Sequence, residues 1–533
     1  MPAMLLANRT VGSFCNIGAG GTAMKPDDRS VELPAQRRLS RRALLGGTLA
    51  AGSVAVASAA LGDKLNLLGS SLDATTEADA TAIQQESVRI SHLLRRAGFG
   101  LTREEHDRYQ SMGLEATIDE LINFTGVDDS AADRLANLVP IDPRNRASPT
   151  AWWLTRIANT RRPLQEKMTL FWSGLLTSQI SVVRDPVAMV AQNELFRAHA
   201  LDSFGTMLRA VTMDSAMMVY LDMDGSQRSA ANENYARELM ELFALGVGNY
   251  SEEDVREGAR AFTGWRVPRN RLEQNAFALQ EPIFLPNQFD NGVKTFLGRR
   301  GNFRPDDIIE IVLEQPAAAA YITSRLFSFF IYPDPDEDDL APFAAVYNET
   351  GGSIRAVVEA MLRSDVFYSA KAYRAMVKSP LEYAIAAIKA LGAQENVVAL
   401  LAQRGGARGG GVLGNMGQAP FEPPNVAGWP GGESWLNSAT IFARLNLLNA
   451  LTGGGAQGRN RRDQQAQQLA GMRLGSPAEA IAYYLPFLLD DNLPADGRQV
   501  LIDYGGGAES QLLPEQLRGL VYLILGSPQF HLA

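Results

Sequence analysis

Between about Ile90 and Leu451, apolar side chains recur at helical intervals. Over residues 232–246, Tyr235, Leu239, Leu242 and Phe243 fall at i, i+4, i+7 and i+8, which is one face of a helix, and Gly246 supplies its stop. Ser251 and Asp254 have the spacing of a capping box in its aspartate form, and Val255, Ala259 and Phe262 carry the next stripe. Pro316 fits a first helical position, ahead of Ile322, Leu326, Phe329 and Phe330. The same spacing returns in Ile354, Val357, Val358, Met361 and Leu362, and again in Leu381, Ile385, Ile388 and Leu391. Only 277–298 reads as partly extended, with Asn291-Gly292 as a turn between short apolar runs, which predicts a hairpin. No strand–helix alternation with a glycine-rich phosphate loop occurs, which excludes a doubly wound sheet. The expected fold class is mainly α: a multi-helix globular domain with a small β-hairpin and long Gly/Pro-rich loops.

Punctuation along the chain predicts five segments. Residues 1–59 place Ser40-Arg41-Arg42 before a mild apolar stretch rich in Ala, Gly and Ser, which ends at Ala57-Ser58-Ala59. That is the pattern of a cleaved twin-arginine signal and implies a periplasmic or secreted protein. Residues 60–86, rich in Ser, Thr, Asp and Gln, read as a flexible tether, and 87–452 as the main helical domain. Residues 453–468 read as a second linker, and 469–533 as a C-terminal helical segment. A further glycine loop runs from Arg404 to Gly417, and the acidic run 334–339 reads as a solvated loop.

Composition narrows the chemistry. Of 533 residues, 46% are hydrophobic and 20% charged, enough apolar surface for a large core. The formal charge is −9, and residues 1–59 hold seven basic against three acidic side chains, so cleavage leaves −13. An acidic chain argues against a nucleic-acid partner, whose phosphates need a basic face. The single cysteine, Cys15, leaves with the signal, which excludes disulfides, thiolate zinc sites and iron–sulfur clusters. No apolar run of about 18 residues follows the signal, so no stable membrane insertion is expected after cleavage.

The densest chemistry lies in 232–265. Glu233, Arg237 and Glu241 are spaced by four, so two carboxylates can meet one guanidinium, while Asn234, Glu238 and Glu241 lie partly on the adjacent face. The next helix brings Asp254, Arg256, Glu257 and Arg260. If the two pack through Leu239, Leu242, Val255 and Phe262, these charges line a seam. One reading is an ion-pair network locking two helices. The other is a polar pocket in which Glu238 or Glu241 is the acid/base, tuned by Arg237 or Arg260, with Asn232, Glu233, Asn234, Asp254 and Trp265 as binding residues. Asp222, Asp224, Ser226 and Glu233 have a calcium-loop spacing, but Gln227 stands where that loop needs glycine, and no metal site is assigned. No nucleophile motif is present. Farther on, four prolines and two tryptophans stiffen the loop from Met416, and Asn425, Trp429 and Trp435 either wall a ligand cleft or clamp the helix that follows.

Several of these stretches resemble the domain of unknown function 1800 family: HLLRRAGFG from His92, NENYARELMELFALG from Asn232, Tyr250 to Trp265, GVKTFLG from Gly292 and MGQAPFEPPNVAGWP from Met416. The resemblance spans about residues 90–450. It implies an exported protein with a sulfatase-like partner of the domain of unknown function 1501 family, and it implies no particular reaction. This chain departs from the family where relatives carry histidines, at Ser173, Leu175 and Phe289. The resemblance therefore implies no cofactor and no transition metal here. The leading expectation is a binding or accessory component. The alternative is a carboxylate-dependent hydrolase of an extracellular polymer, with Glu238 or Glu241 as acid/base and Arg237 or Arg260 orienting an anionic group.

Overall fold

The computed structural model describes residues 75–272, 277–401, 411–452 and 474–533. The signal, the 453–468 linker and residues 404–410 of the glycine loop lie outside the described residues. The fold is mainly α, with three short antiparallel strand pairs among the described residues. Among the described residues no helix is long and apolar enough to cross a membrane.

Two hydrophobic cores organise the helices. The first gathers helices 86–96, 204–212, 234–244, 252–261, 305–313, 316–330 and 354–363. The second gathers 148–159, 380–390, 438–451, 477–489 and 514–525. Helices 163–175 and 186–198 enter both, with Trp172 and Phe196 in the first, and Leu170 and Met189 in the second. The predicted stripes are the buried faces: Ile354, Val357, Val358, Met361 and Leu362 are all fully buried. The last stretch, 474–533, shares the second core and closes back on the chain, where Met376 and Ala533 exchange backbone hydrogen bonds. Likewise the last part of the expected tether is ordered, with Thr75–Ala82 helical and Ile83 fully buried.

The hairpin forms at a different turn from the one its Asn-Gly pair suggests. Lys294–Phe296 pairs with Arg299–Gly301, and the two turn residues, Leu297 and Gly298, both have positive φ, as the tight hairpin connection requires. Asn291-Gly292 instead lies in the approach to the first strand. There a Cβ on residue 292 would sit 2.6 Å from the Arg260 guanidinium. Two more pairs, 265–266 with 283–284 and 269–271 with 277–279, complete the extended region.

The 232–246 stripe forms an α-helix only over Asn234–Glu238, and Leu239–Ala244 winds as a π-helix. Leu245 and Gly246 both donate to the Met240 carbonyl, and Gly246 ends the element at φ 81°. Wider winding changes which side chains stack after Glu238.

Candidate functional site

Helix 252–261 begins where Ser251 and Asp254 form the predicted capping box. It meets helix 234–244 through small and aromatic residues. Gly258 lies between Ala236 and Phe296, close enough that a Cβ would stand 3.5 and 3.0 Å from them, and Tyr235 meets Phe262 edge-on at 5.0 Å. The seam is thus apolar, and the charges lie outside it.

The charge partners differ from the helical spacing. Arg237 binds Glu252 through two hydrogen bonds of 2.7 and 2.9 Å and reaches Glu233 at 3.3 Å. Glu241 is not its partner and accepts from the Tyr250 hydroxyl at 2.6 Å. The expected Glu233–Arg237–Glu241 ladder therefore does not form, because the π turn intervenes after Glu238. Arg237 is 31% exposed and Glu252 66%, so the network lies at the surface.

On the opposite flank the helix holds the hairpin. Arg260 grips Asp290 at 2.7 and 3.2 Å and Glu257 at 2.8 Å. Glu257 accepts from the Thr295 N–H at 2.8 Å, and Asp254 from the Leu297 N–H at 2.7 Å. Arg260 and Asp254 thus act as fasteners. Arg256 pairs with Glu253 at the surface.

Glu238 stands apart. It is half-buried, and its carboxylate accepts no hydrogen bond from the described residues. Burial raises its carboxyl above the ordinary value, Glu241 adds to the rise and Arg237 opposes it. Tyr220, which packs against both cores, lies within electrostatic reach of Glu238 and of Glu422 and bonds to Thr177. Sequence reasoning missed Tyr220, since nothing in its helical context distinguishes it from a packing tyrosine.

The remaining candidates are structural or peripheral. Asn232 accepts from the Asn234 N–H at 2.9 Å, and the Asn234 amide donates to Asp222 at 3.1 Å. Asp224 is committed to Arg269 and the Val267 N–H, both at 2.8 Å, so the calcium spacing does not converge. Among the described residues no three His, Cys, Asp or Glu side chains are placed to hold a metal ion. Trp265 is half-buried against Phe284 at 5.2 Å. The Met416 loop clamps the chain after helix 163–175: Glu422 takes Gln179 at 2.8 Å and the Ser181 N–H at 3.1 Å, while Thr177 donates to the Val426 carbonyl at 2.7 Å. Asn425 accepts from the Ala427 N–H at 2.9 Å, a turn within the loop. Trp429 and Trp435 are half-buried, and Trp435 covers Gly417, where a Cβ would stand 3.4 Å from its ring.

These geometries account for most of the signature stretches, and the comparison with known sequences places them together. The family model described as "Protein of unknown function (DUF1800)" matches residues 92–532. The chain belongs to that family. No curated protein and no solved structure matches it.

Within this DUF1800 chain, Ser173 donates to the Thr169 carbonyl at 2.8 Å, Leu175 is buried, and Phe289 packs beside Phe284 at 5.6 Å. HLLRRAGFG forms the clasp between the cores. His92 meets the Phe367 carbonyl at 3.0 Å, Arg95 binds Asp490 at 2.6 Å, and Arg96 donates to the Ala372 carbonyl at 2.5 Å. Tyr373 and Arg374 complete the Asp490 site at 2.6 and 3.5 Å. Burial alone would raise the Asp490 carboxyl, but Arg95 and Arg374 outweigh it and hold it below its ordinary value. The partner, Asp490, lies 395 residues from Arg95, so no local pattern points to it.

Proposed function

We propose that this DUF1800 protein is an exported binding or accessory component that acts with a sulfatase-like partner of the DUF1501 family. The observation that supports the reading is the use of the 233–260 charges: all but Glu238 are engaged in fastening helix to helix, helix to hairpin, or side chain to side chain. Groups held this way shape a surface and offer little to a reacting bond. Export follows from Arg41-Arg42. The test is a pull-down of the tagged mature protein from its native envelope, with the partner identified by mass spectrometry. Recovery of a sulfatase-like protein in fixed proportion supports the reading, and recovery of none overturns it. Replacing Arg41 and Arg42 with Lys should trap full-length precursor inside the cell, and undiminished release of processed protein counts against the twin-arginine route.

One observation favours a second reading, a carboxylate-dependent hydrolase of an extracellular polymer. Glu238 is half-buried, its carboxylate pairs with no described residue, and burial raises its carboxyl above the ordinary value, as suits a proton donor. In a screen of the mature protein against extracellular polymers, Glu238→Gln should abolish any turnover while leaving the fold intact.

A further inference from the structure

Asn291 and Gly292 are both exposed, in the approach to the first strand of the hairpin. Lys294, by contrast, is fully buried, and its ammonium donates to the Asp290 carbonyl at 2.7 Å, the Gly292 carbonyl at 3.1 Å and Asn302 Oδ1 at 3.3 Å. An ammonium has donors only, so it fixes which end of the Asn302 amide is oxygen and turns Nδ2 the other way. That Nδ2 donates to Asn291 Oδ1 at 2.6 Å. The side-chain carbonyl of Asn291 is thus polarised by a donor held in place from behind.

The next backbone nitrogen is prepared as well. The Gly292 N–H donates to Asp290 Oδ1 at 2.9 Å, and the same carboxylate is gripped by Arg260. The guanidinium comes so close that a Cβ on residue 292 would stand 2.6 Å from its Nη2, so only glycine leaves room there. The carboxylate draws on the proton of this N–H, and the guanidinium offsets the negative charge left on the nitrogen.

We infer that Asn291-Gly292 is a self-modification site, at which the Gly292 nitrogen attacks Cγ of Asn291 to form a succinimide. In that step the N–Cγ bond forms, the Cγ–Nδ2 bond breaks, and ammonia leaves with the proton that the Gly292 nitrogen gives up. Negative charge develops on Asn291 Oδ1, where Asn302 Nδ2 already points. Both residues face water, which hydrolyses the ring at either carbonyl and leaves aspartate or isoaspartate at 291. Isoaspartate carries an extra methylene in the backbone between the two carbonyls that hold Lys294, and so loosens the anchorage of the hairpin. The inference goes beyond the function proposed above and does not depend on it.

The experiment is incubation of the purified mature protein at neutral pH, followed by peptide mapping with electron-transfer fragmentation, which separates aspartate from isoaspartate. The same chain unfolded in guanidinium chloride is the reference. Folded wild type should convert Asn291 at least as fast as the unfolded chain, with isoaspartate among the products. Asn302→Ala should slow the folded chain about tenfold, the loss of one donor to a developing oxyanion at an exposed site, and should leave the unfolded rate unchanged. Thr295→Val, at an exposed position of the first strand, controls for disturbance of the hairpin and should match wild type. No conversion at Asn291, a folded rate below the unfolded one, or a folded Asn302→Ala rate equal to wild type overturns the inference.

Discussion

Two arginine networks in this chain use the same chemistry in different surroundings. At the clasp between the cores, Arg95 is 10% exposed and Asp490 not at all. On the outer helix pair, Arg237 and Glu252 make a geometrically better two-pronged contact, but in water. A charge stripped of water depends on its partner, because nothing else solvates it, while an exposed one exchanges its partner for solvent. Hydrogen-bond geometry and burial therefore rank the two networks in opposite orders, and desolvation predicts that burial decides.

The largest effect should come from cutting the clasp. Asp490→Ala strands Arg95 and Arg374 in the interior and should cost about 3–5 kcal/mol in denaturant unfolding. A loss as small as that of a surface substitution would show that the two cores do not rely on it.

A second contrast separates two buried carboxylates by the sign of their pH dependence. Asp490 is held below its ordinary value, so its stabilisation is present above the unfolded pKa and is lost as pH falls through the folded one. Asp214 is pushed up to about 6 by burial, against hydrogen bonds from Met217 at 2.8 Å and Gln192 at 2.7 Å. Its contribution is present below about pH 4 and is lost as pH rises through 6, which amounts to roughly 2–3 kcal/mol. Asp214→Asn should be at least as stable as wild type above pH 6, and the decline between pH 4 and 6 should flatten. An unchanged pH profile would remove Asp214 from the account.

Arg237→Ala should be mild. Its partners return to solvent, and the melting temperature should move by about 2 °C or less, by less still in high salt. A collapse of the fold would make this network the equal of the clasp. The smallest effect belongs to Glu238→Gln, which removes a desolvated charge with no partner to strand. Its melting temperature should stay within about 1 °C of wild type.

Much of the helical layer was legible locally. The capping box at Ser251 and Asp254, the start at Pro316 and the stripe of 354–362 depend on residues within a few positions of one another. The candidate site was legible as a place but not as a set of contacts. Regular spacing assigned Arg237 to Glu241, whereas the π turn and the neighbouring helix deliver it to Glu252, 15 residues away. The Asn-Gly pair was a sound turn signal, but Arg260 and Asp290 occupy its surroundings and the hairpin closes at Leu297-Gly298 instead.

By itself the sequence determined the class of the fold, the helix starts and stripes, and membership of the DUF1800 family, because propensity, capping and apolar period act over a few residues. Only the tertiary structure decided which charges are buried, that 474–533 shares the second core, and that Glu238 alone of its group pairs with no described residue. Burial and pairing are properties of what packs against a residue, and those partners come from anywhere in the chain.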